Sequence, residues 1–596
     1  MNLKKKLIAA AAVIAVAVSS AASAISTIPA TAVDTNNDDW LHAVGSRLYD
    51  KDGNQVWLTG ANWFGMNCTE NFPHGLWSAD VDEFLSSVAD RGINIIRFPV
   101  STELLMSWQN GTPLSPVGLN AANGPDYSFN PDFCDENGNT MDSMGIFDVI
   151  MKKCKKYGIK ALIDIHSPAS HNSGHNYNLW YYNADAADAD NMAVGFYSKE
   201  QITFDDWIDS VTWLADKYKN DDTIIAYDLK NEPHGKRGYD GTSCPTDIAK
   251  WDDSTDQNNW AYSATECGKS ILSVNPNALI LIEGVEQYPK TDKGYTYDTA
   301  DIWQAPADVS PWYGAWWGGN LRGVKDYPID FGSDKLNSQI VYSPHDYGPS
   351  VYNQTWFQKD FTTQTLLDDY WYDTWAYIND QDIAPLLIGE WGGHMYDGIN
   401  QEWQKNQKWM ELLRDYMIDN HINHTFWCLN PNSGDTGGLL DSSFKVWDEN
   451  KYGLFEPSLW QTSESGKYIG LDHSQPLGVN GTGLTVTDYY KNYASSEGSN
   501  LDSDGSVNPQ PTEDTTESPD NDFIPGDVTE DKKVNIFDSI ALKRKVYNSK
   551  YGDPAVPAPH ACAGDVTGDG FERISDLVLL NKFLIGEDVT FKKYTQ

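Results

Sequence analysis

The chain has 596 residues, 85 acidic against 43 basic side chains, and a formal net charge of −42. A surface of that sign repels phosphate backbones and anionic headgroups, which argues against nucleic acid and membranes as partners. With 40% hydrophobic residues, and 23 Trp, 32 Tyr and 20 Phe, the chain can fill a large core and has aromatic rings to spare; surplus Trp points to a surface that stacks on flat, weakly polar ligands.

In chain order, Lys4, Lys5 and Lys6 precede an apolar run from Leu7 to Val18, and A-x-A-like sites follow at Ala22-Ser23-Ala24 and Ala30-Thr31-Ala32. Residues 1–32 therefore read as an export leader cleaved after 24 or after 32, and the expected location is extracellular. The run falls short of the ~20 residues of a membrane span. Seven cysteines stand without a C-x-x-C pair, so nothing supports a zinc ribbon, and no disulfide pairing can be read.

Residues 33–496 show a β-then-α rhythm. Strand-like runs appear at Val56–Trp63, Asn94–Val100, Lys160–His166, Ile224–Glu232, Ala278–Gly284, Gln339–Tyr347, Pro385–Trp391 and Asn423–Asn430. Helical patterns fall between several of them, at Val81–Arg91, Asp142–Tyr157, Phe204–Tyr218, Trp260–Val274 and Glu402–Asn420. Eight continuous apolar runs alternating with helices predict an α/β fold, a (β/α)8 TIM barrel. An open doubly wound sheet is the alternative. No G-x-G-x-x-G follows the first strand and no P-loop occurs, so no cofactor is expected for catalysis.

In such a barrel the site lies at the carboxyl ends of the strands. Those ends carry Asn62, Arg97, His166, Asn231 with Glu232, Glu283, His345 with Tyr347, Glu390 and Asn430, while deeper positions are apolar. Cleaving a glycosidic bond takes one protonated carboxyl group and a second carboxylate. Glu232, Glu283 and Glu390 are on offer, and periodicity leaves open which two act.

Residues 497–523 form the predicted linker; from Leu501 to Asp522 they hold seven acidic residues, three prolines and no Lys or Arg. Beyond it, in 524–596, Gly526–Asp531 (GDVTED) recurs as Gly564–Asp569 (GDVTGD), each with an Asp at loop position twelve. Oxygen donors at positions one, three, five, nine and twelve suit calcium. The candidate ligands are Asp527, Thr529, Asp531, Asn535 and Asp538 in the first loop, and Asp565, Thr567, Asp569 and Asp576 in the second. Thr at position three, Lys532 at position six and Arg573 at position nine predict weaker, unequal sites.

Two stretches, Leu229-Lys230-Asn231-Glu232-Pro233-His234 and Ile388-Gly389-Glu390-Trp391-Gly392-Gly393, resemble the catalytic motifs of glycoside hydrolase family 5. Gly60–Phe64 (GANWF), His74–Trp77 (HGLW), Trp316–Leu321 (WWGGNL), His345–Tyr352 (HDYGPSVY) and Asn430–Leu440 (NPNSGDTGGLL) resemble its cellulase branch, the endo-β-1,4-glucanases. The resemblance runs in order from Trp40 to Trp460. It implies a retaining enzyme on β-1,4-glucan with Glu232 as acid/base and Glu390 as nucleophile. Glu283 would be a supporting rim residue. It also implies substrate binding by Arg97, His166, Asn231, His345 and Tyr347, and sugar platforms at Trp427, Trp77 and Trp316, with Trp180, Trp312 and Trp317 as weaker platform candidates. Xyloglucan, mixed-linkage glucan and mannan are alternative substrates, and a non-catalytic carbohydrate-binding scaffold component is a reading of another class. The repeated tail resembles a dockerin, a small all-α calcium-binding module whose partner is the cohesin of a cellulosome scaffold.

Overall fold

The computed structural model describes residues 38–119, 130–171, 179–184, 193–234, 248–299, 309–501, 566, 580 and 582–583. The predicted leader and every predicted calcium ligand lie outside them. The chain divides into two compact units, Met1–Asn508 and Pro509–Gln596.

The first unit opens with a small antiparallel sheet, β1 (His42–Val44), β2 (Arg47–Tyr49) and β3 (Gln55–Val56). Eight parallel strands then alternate with helices. They are β4 (Thr59–Asn62), β5 (Ile95–Ser101), β6 (Lys160–Ser167), β7 (Ile224–Asp228), β8 (Leu279–Ile282), β11 (Ile340–Tyr342), β12 (Leu387–Trp391) and β13 (Asn423–Phe426). A two-stranded pair, β9 (Gln287–Pro289) and β10 (Trp312–Gly314), lies in the loop after β8. The spatial order is β11-β8-β7-β6-β5-β4-β13-β12, and a bridge between Tyr342 and Leu386 joins the two ends, with the Tyr342 amide donating to the Pro385 carbonyl at 3.0 Å. The ring is the predicted (β/α)8 barrel, and every residue of its eight strands is buried, which is why these segments read as continuous apolar runs.

All five predicted helices form. Val81–Asp90 starts on an Asp80 cap, Ser143–Lys156 on Asp142, Phe204–Lys217 on a Thr203–Asp206 capping box, Trp260–Val274 on Asn259 and Gln401–Asp419 on Asn400. Each cap side chain satisfies amides that the first turn leaves unpaired. Several predicted strands run too far. The ladder stops at Asp228, Tyr342 and Phe426, because the chain leaves the flaring barrel mouth and the rim residues beyond belong to loops.

The floor of the barrel is sealed from both ends of this unit. Leu41, Leu48 and Trp57 pack with Trp460, Ile469, Leu484, Val486 and Tyr489 against the strand residues Ile95, Leu162, Ile225, Leu279 and Val341. The stretch from 462 to 496, which follows the last predicted strand, thus completes the floor with β14 (Tyr468–Ile469), β15 (Gly483–Leu484) and the helix Val486–Asn492. The floor runs past 496: Asn500 Nδ2 donates to the Pro457 and Leu459 carbonyls at 2.8 and 2.9 Å, and Leu501 is buried.

Candidate active site

The mouth is organised around one buried cation. Arg97 on β5 is fully enclosed. Its Nη1 donates to Glu390 Oε1 at 2.8 Å and Asn62 Oδ1 at 3.0 Å, its Nη2 to Asn231 Oδ1 and Glu283 Oε1 at 3.2 Å each, and its Nε to Asp228 Oδ2 at 3.0 Å. Asp164 Oδ1 is 3.1 Å from Nη2. Burial alone would discourage the charge, but Asp164, Asp228, Glu390 and Glu283 hold the guanidinium well above its ordinary pKa. A planar fork with five donors is the side chain that can serve this many acceptors at once.

Glu390 sits near the end of β12. Its Oε1 is held by Arg97, and the Tyr347 hydroxyl donates to Oε2 at 2.6 Å. Burial pushes its carboxyl above the usual range, while His345 and Arg97 pull the other way. Glu232 lies beyond β7 with φ 51°, a left-handed conformation unusual for a side chain of its size. Its amide donates to Glu283 Oε2 at 2.7 Å, and its Oε1 lies 3.2 Å from His345 Nδ1. One carboxylate oxygen of Glu232, one of Glu390 and a ring nitrogen of His345 all fall within 4.8 Å of one another.

His345 bridges acids on both sides. Its Nδ1 faces Glu232, with Glu390 Oε2 at 3.7 Å, and its Nε2 is 3.1 Å from Glu283 Oε1. Burial opposes its charge, yet Glu283 and Glu390 hold it well above the ordinary imidazole pKa, and burial raises Glu283 itself to about 8. His345 and Glu283 share a proton, and the fixed N–H donors on both Glu283 oxygens, from the Glu232 amide and Arg97, favour its resting on His345. The donor types Glu232, His345 and Glu390 could hold a metal, but with both nitrogens turned to carboxylates the ring spans acids rather than offering a lone pair.

At the end of β6, His166 Nδ1 pairs with Asp164 Oδ2 at 2.6 Å. Trp427, joined to Cys428 by a cis peptide bond, lies nearly parallel to Phe64 (centroids 5.5 Å apart, 12°) and to His166 (5.8 Å, 8°). Trp77 is 38% exposed beside His74 and Phe444. Trp316, 8% exposed, meets the Tyr347 ring edge-on at 6.0 Å.

The structure brings Arg97, Asn231, Glu232, His345, Tyr347 and Glu390 into one contact network, and sets His166 and Trp427 together. Two weaker platform candidates are overturned. Trp180 is fully buried against Trp207 and Trp260, and Trp312 packs on Tyr297 in a core of its own; neither has a face to offer a ligand. Trp317 stacks on His234 at 3.9 Å. Sequence reasoning missed Asp164 and Asp228 as members of the network. Burial lifts them to about 6 and about 7, against the pull of Arg97. Their signal was a lone acid inside an otherwise apolar buried strand.

A family model described as cellulase, glycosyl hydrolase family 5, matches residues 49–433. Endoglucanase G of Acetivibrio thermocellus is 60% identical over 522 residues, covering 87% of each chain. Endoglucanase B of the same organism is 42% identical over 480 residues, covering 76% of this chain and 77% of its own. Among solved structures, an endocellulase of Pyrococcus horikoshii in complex with cellotetraose superposes with a TM-score of 0.54 at 31% identity, covering 70% of this chain and 98% of that one.

Proposed function

Because the chain belongs to glycosyl hydrolase family 5, the cellulases, and is an endoglucanase, we propose that it cleaves internal β-1,4-glucosidic bonds with retention, Glu390 being the nucleophile and Glu232 the acid/base. The observation that carries this reading is the Glu232–Glu390 approach, within 4.8 Å between carboxylate oxygens. Retaining glycosidases hold their carboxyl groups about 5–5.5 Å apart, and inverting enzymes leave a wider gap for water.

In the first step Glu390 attacks the anomeric carbon, the bond to the leaving oxygen breaks, and Glu232 gives that oxygen its proton. In the second, Glu232 takes a proton from water, whose oxygen attacks the same carbon and releases Glu390. Arg97 and Tyr347 each hold one oxygen of Glu390, so the nucleophile is aimed before substrate arrives and its ionised form is favoured. Asn231, fixed by Arg97, is placed to bind the sugar 2-OH, and Trp427 to stack a ring beside the cleaved bond. Cellotetraose on the Pyrococcus horikoshii relative supports a linear glucan of several units as the ligand.

The leader-like N-terminus supports secretion, as does the 26% identity over 418 residues to the major extracellular endoglucanase of Xanthomonas campestris. The twice-repeated acidic loop supports a calcium-loaded dockerin that mounts the enzyme on a cohesin. The test is hydrolysis of carboxymethyl cellulose by wild type beside Glu232→Gln and Glu390→Gln. Viscosity falling ahead of reducing-end release, and lost in both variants, is the expected result. An unreactive polymer with folded protein would move the substrate to xyloglucan, mixed-linkage glucan or mannan. Unchanged turnover in Glu390→Gln would overturn the nucleophile.

A further inference from the structure

One acid of the mouth takes no part in either chemical step. We propose that Glu283 is a positioning residue for the acid/base, gripping Glu232 at two points, directly at its backbone amide and indirectly through His345. The inference rests on the assignment of Glu232 as acid/base.

Two hydrogen bonds and one ion-pair contact form a closed ring. The Glu232 amide donates to Glu283 Oε2 at 2.7 Å; Glu283 Oε1 lies 3.1 Å from His345 Nε2; His345 Nδ1 returns to Glu232 Oε1 at 3.2 Å. One carboxylate therefore sets both the backbone and the side chain of the acid/base. The backbone needs setting, because a non-glycine residue at φ 51° holds that conformation only where its surroundings impose it.

Glu283 is itself immobilised. The Trp260 indole N–H donates to its carbonyl at 2.9 Å, and Arg97 Nη2 to its Oε1 at 3.2 Å. A Cβ at Gly318 would come within 2.2 Å of Oε2, so the glycine leaves the space this carboxylate occupies. The Glu232 amide and Arg97 are fixed donors, and His345 offers a second N–H when it carries its charge. A carboxylate meets that set with acceptors on both oxygens, whereas a glutamine must turn its NH2 against the Glu232 amide on one side or against His345 and Arg97 on the other.

Acid assistance matters in proportion to how poor the leaving group is. The test compares kcat/KM on cellotetraose, whose leaving sugar needs a proton, with 2,4-dinitrophenyl β-cellobioside, whose phenolate does not. Glu232→Gln serves as the reference. In Glu283→Gln, kcat/KM on cellotetraose is expected to fall about 100-fold, the size of effect a misplaced acid produces, and on the dinitrophenyl substrate by less than about fivefold. Equal losses on both substrates would make Glu283 merely structural, and no loss on cellotetraose would remove it from the site; either result overturns the proposal. Glu283→Asp, which keeps the charge on an arm too short to reach both partners, shows the same selective loss and carries the test if the glutamine variant does not fold. If Glu232→Gln itself loses both substrates equally, the acid/base assignment fails instead, so the two failures are distinguishable.

Discussion

The Tyr347 hydroxyl donates to Glu390 Oε2 at 2.6 Å, on the oxygen opposite the one that Arg97 holds at 2.8 Å. A hydrogen bond to the charged form favours it, and both contacts work against the burial that holds the Glu390 pKa above its ordinary value. Tyr347→Phe removes one of them, so the Glu390 pKa rises and the ionised nucleophile appears at higher pH. A hydrogen bond to a charged group is worth about 1.5–3 kcal/mol, and one pH unit corresponds to about 1.4 kcal/mol. The acidic limb of kcat/KM on soluble glucan should move up by about one to two pH units. A pH profile of the variant that overlays wild type would show that Arg97 alone sets the nucleophile.

Arg97 is the cation on which Asp164, Asp228, Glu283 and Glu390 converge. Arg97→Met leaves buried acids without it, and breaking a buried pair in this way costs about 3–5 kcal/mol. Denaturant unfolding should register that loss together with loss of activity. Arg97→Lys restores the charge but not the fork, so it should recover part of the stability and little of the rate, since one ammonium cannot hold Glu390, Asn231 and Asp228 in place together.

The barrel was legible because its strands are buried on both faces and its helices carry their caps in sequence. The rim was legible as a set of polar residues after apolar runs, but the division of labour among Glu232, Glu283 and Glu390 was not. It depends on Glu232 and Glu390 meeting across the mouth while Glu283 turns beneath Glu232, and those distances come from closing the ring. Tryptophans were the poorest guide. Composition and periodicity do not separate Trp180 from Trp427, and only the resemblance ranked them; one is core and the other lines the mouth, because the loop after β13 sets its ring over Phe64 and His166.

That contrast can be measured. Trp427→Ala removes a half-buried face at the mouth, and aromatic stacking is worth about 0.5–1.5 kcal/mol beyond area burial. kcat/KM on carboxymethyl cellulose should fall by up to about tenfold, mainly through KM. Trp180→Ala empties a core position among Trp207 and Trp260. It should cost about 3–5 kcal/mol of stability and, in the protein that remains folded, leave KM near wild type. A KM effect from Trp180 larger than that from Trp427 would contradict the platform assignment.

In the proposed reading the tail binds and the barrel catalyses. The proposed calcium loops carry Asp527, Asp531 and Asp538, and Asp565, Asp569 and Asp576, in sequence, and carboxylates sharing one site need the cation to offset their charge. Chelating calcium should therefore abolish capture by a cohesin while hydrolysis of soluble glucan continues, because the proposed acid and nucleophile both lie in the barrel. Lys532 at position six of the first loop and Arg573 at position nine of the second depart differently from the calcium-binding pattern, so calorimetric titration should resolve two unequal sites. Asp527→Ala and Asp565→Ala should each remove one of them. A parallel loss of hydrolysis on chelation would place calcium in the barrel instead.

The barrel floor carries its own pH response. His473 Nδ1 lies 2.6 Å from Asp39 Oδ1 and Nε2 lies 3.2 Å from Asp50 Oδ2, tying the segment before β1 and the turn after β2 to the segment after β14. Burial works against the ring's charge, but the two aspartates prevail and raise its pKa to about 9. Between the ordinary value of 6.5 and about 9 the folded protein holds a proton that the unfolded chain has released. Stability must then fall as pH rises through that window, and be fully present below it. Melting temperature should decline from pH 7 to pH 9.5 in the wild type and decline less in His473→Gln, which starts lower at pH 7. An identical slope in both would mean that the floor's alkaline sensitivity comes from elsewhere, with the Lys160 ammonium, bound to Asp39 at 2.6 Å, the next group to substitute.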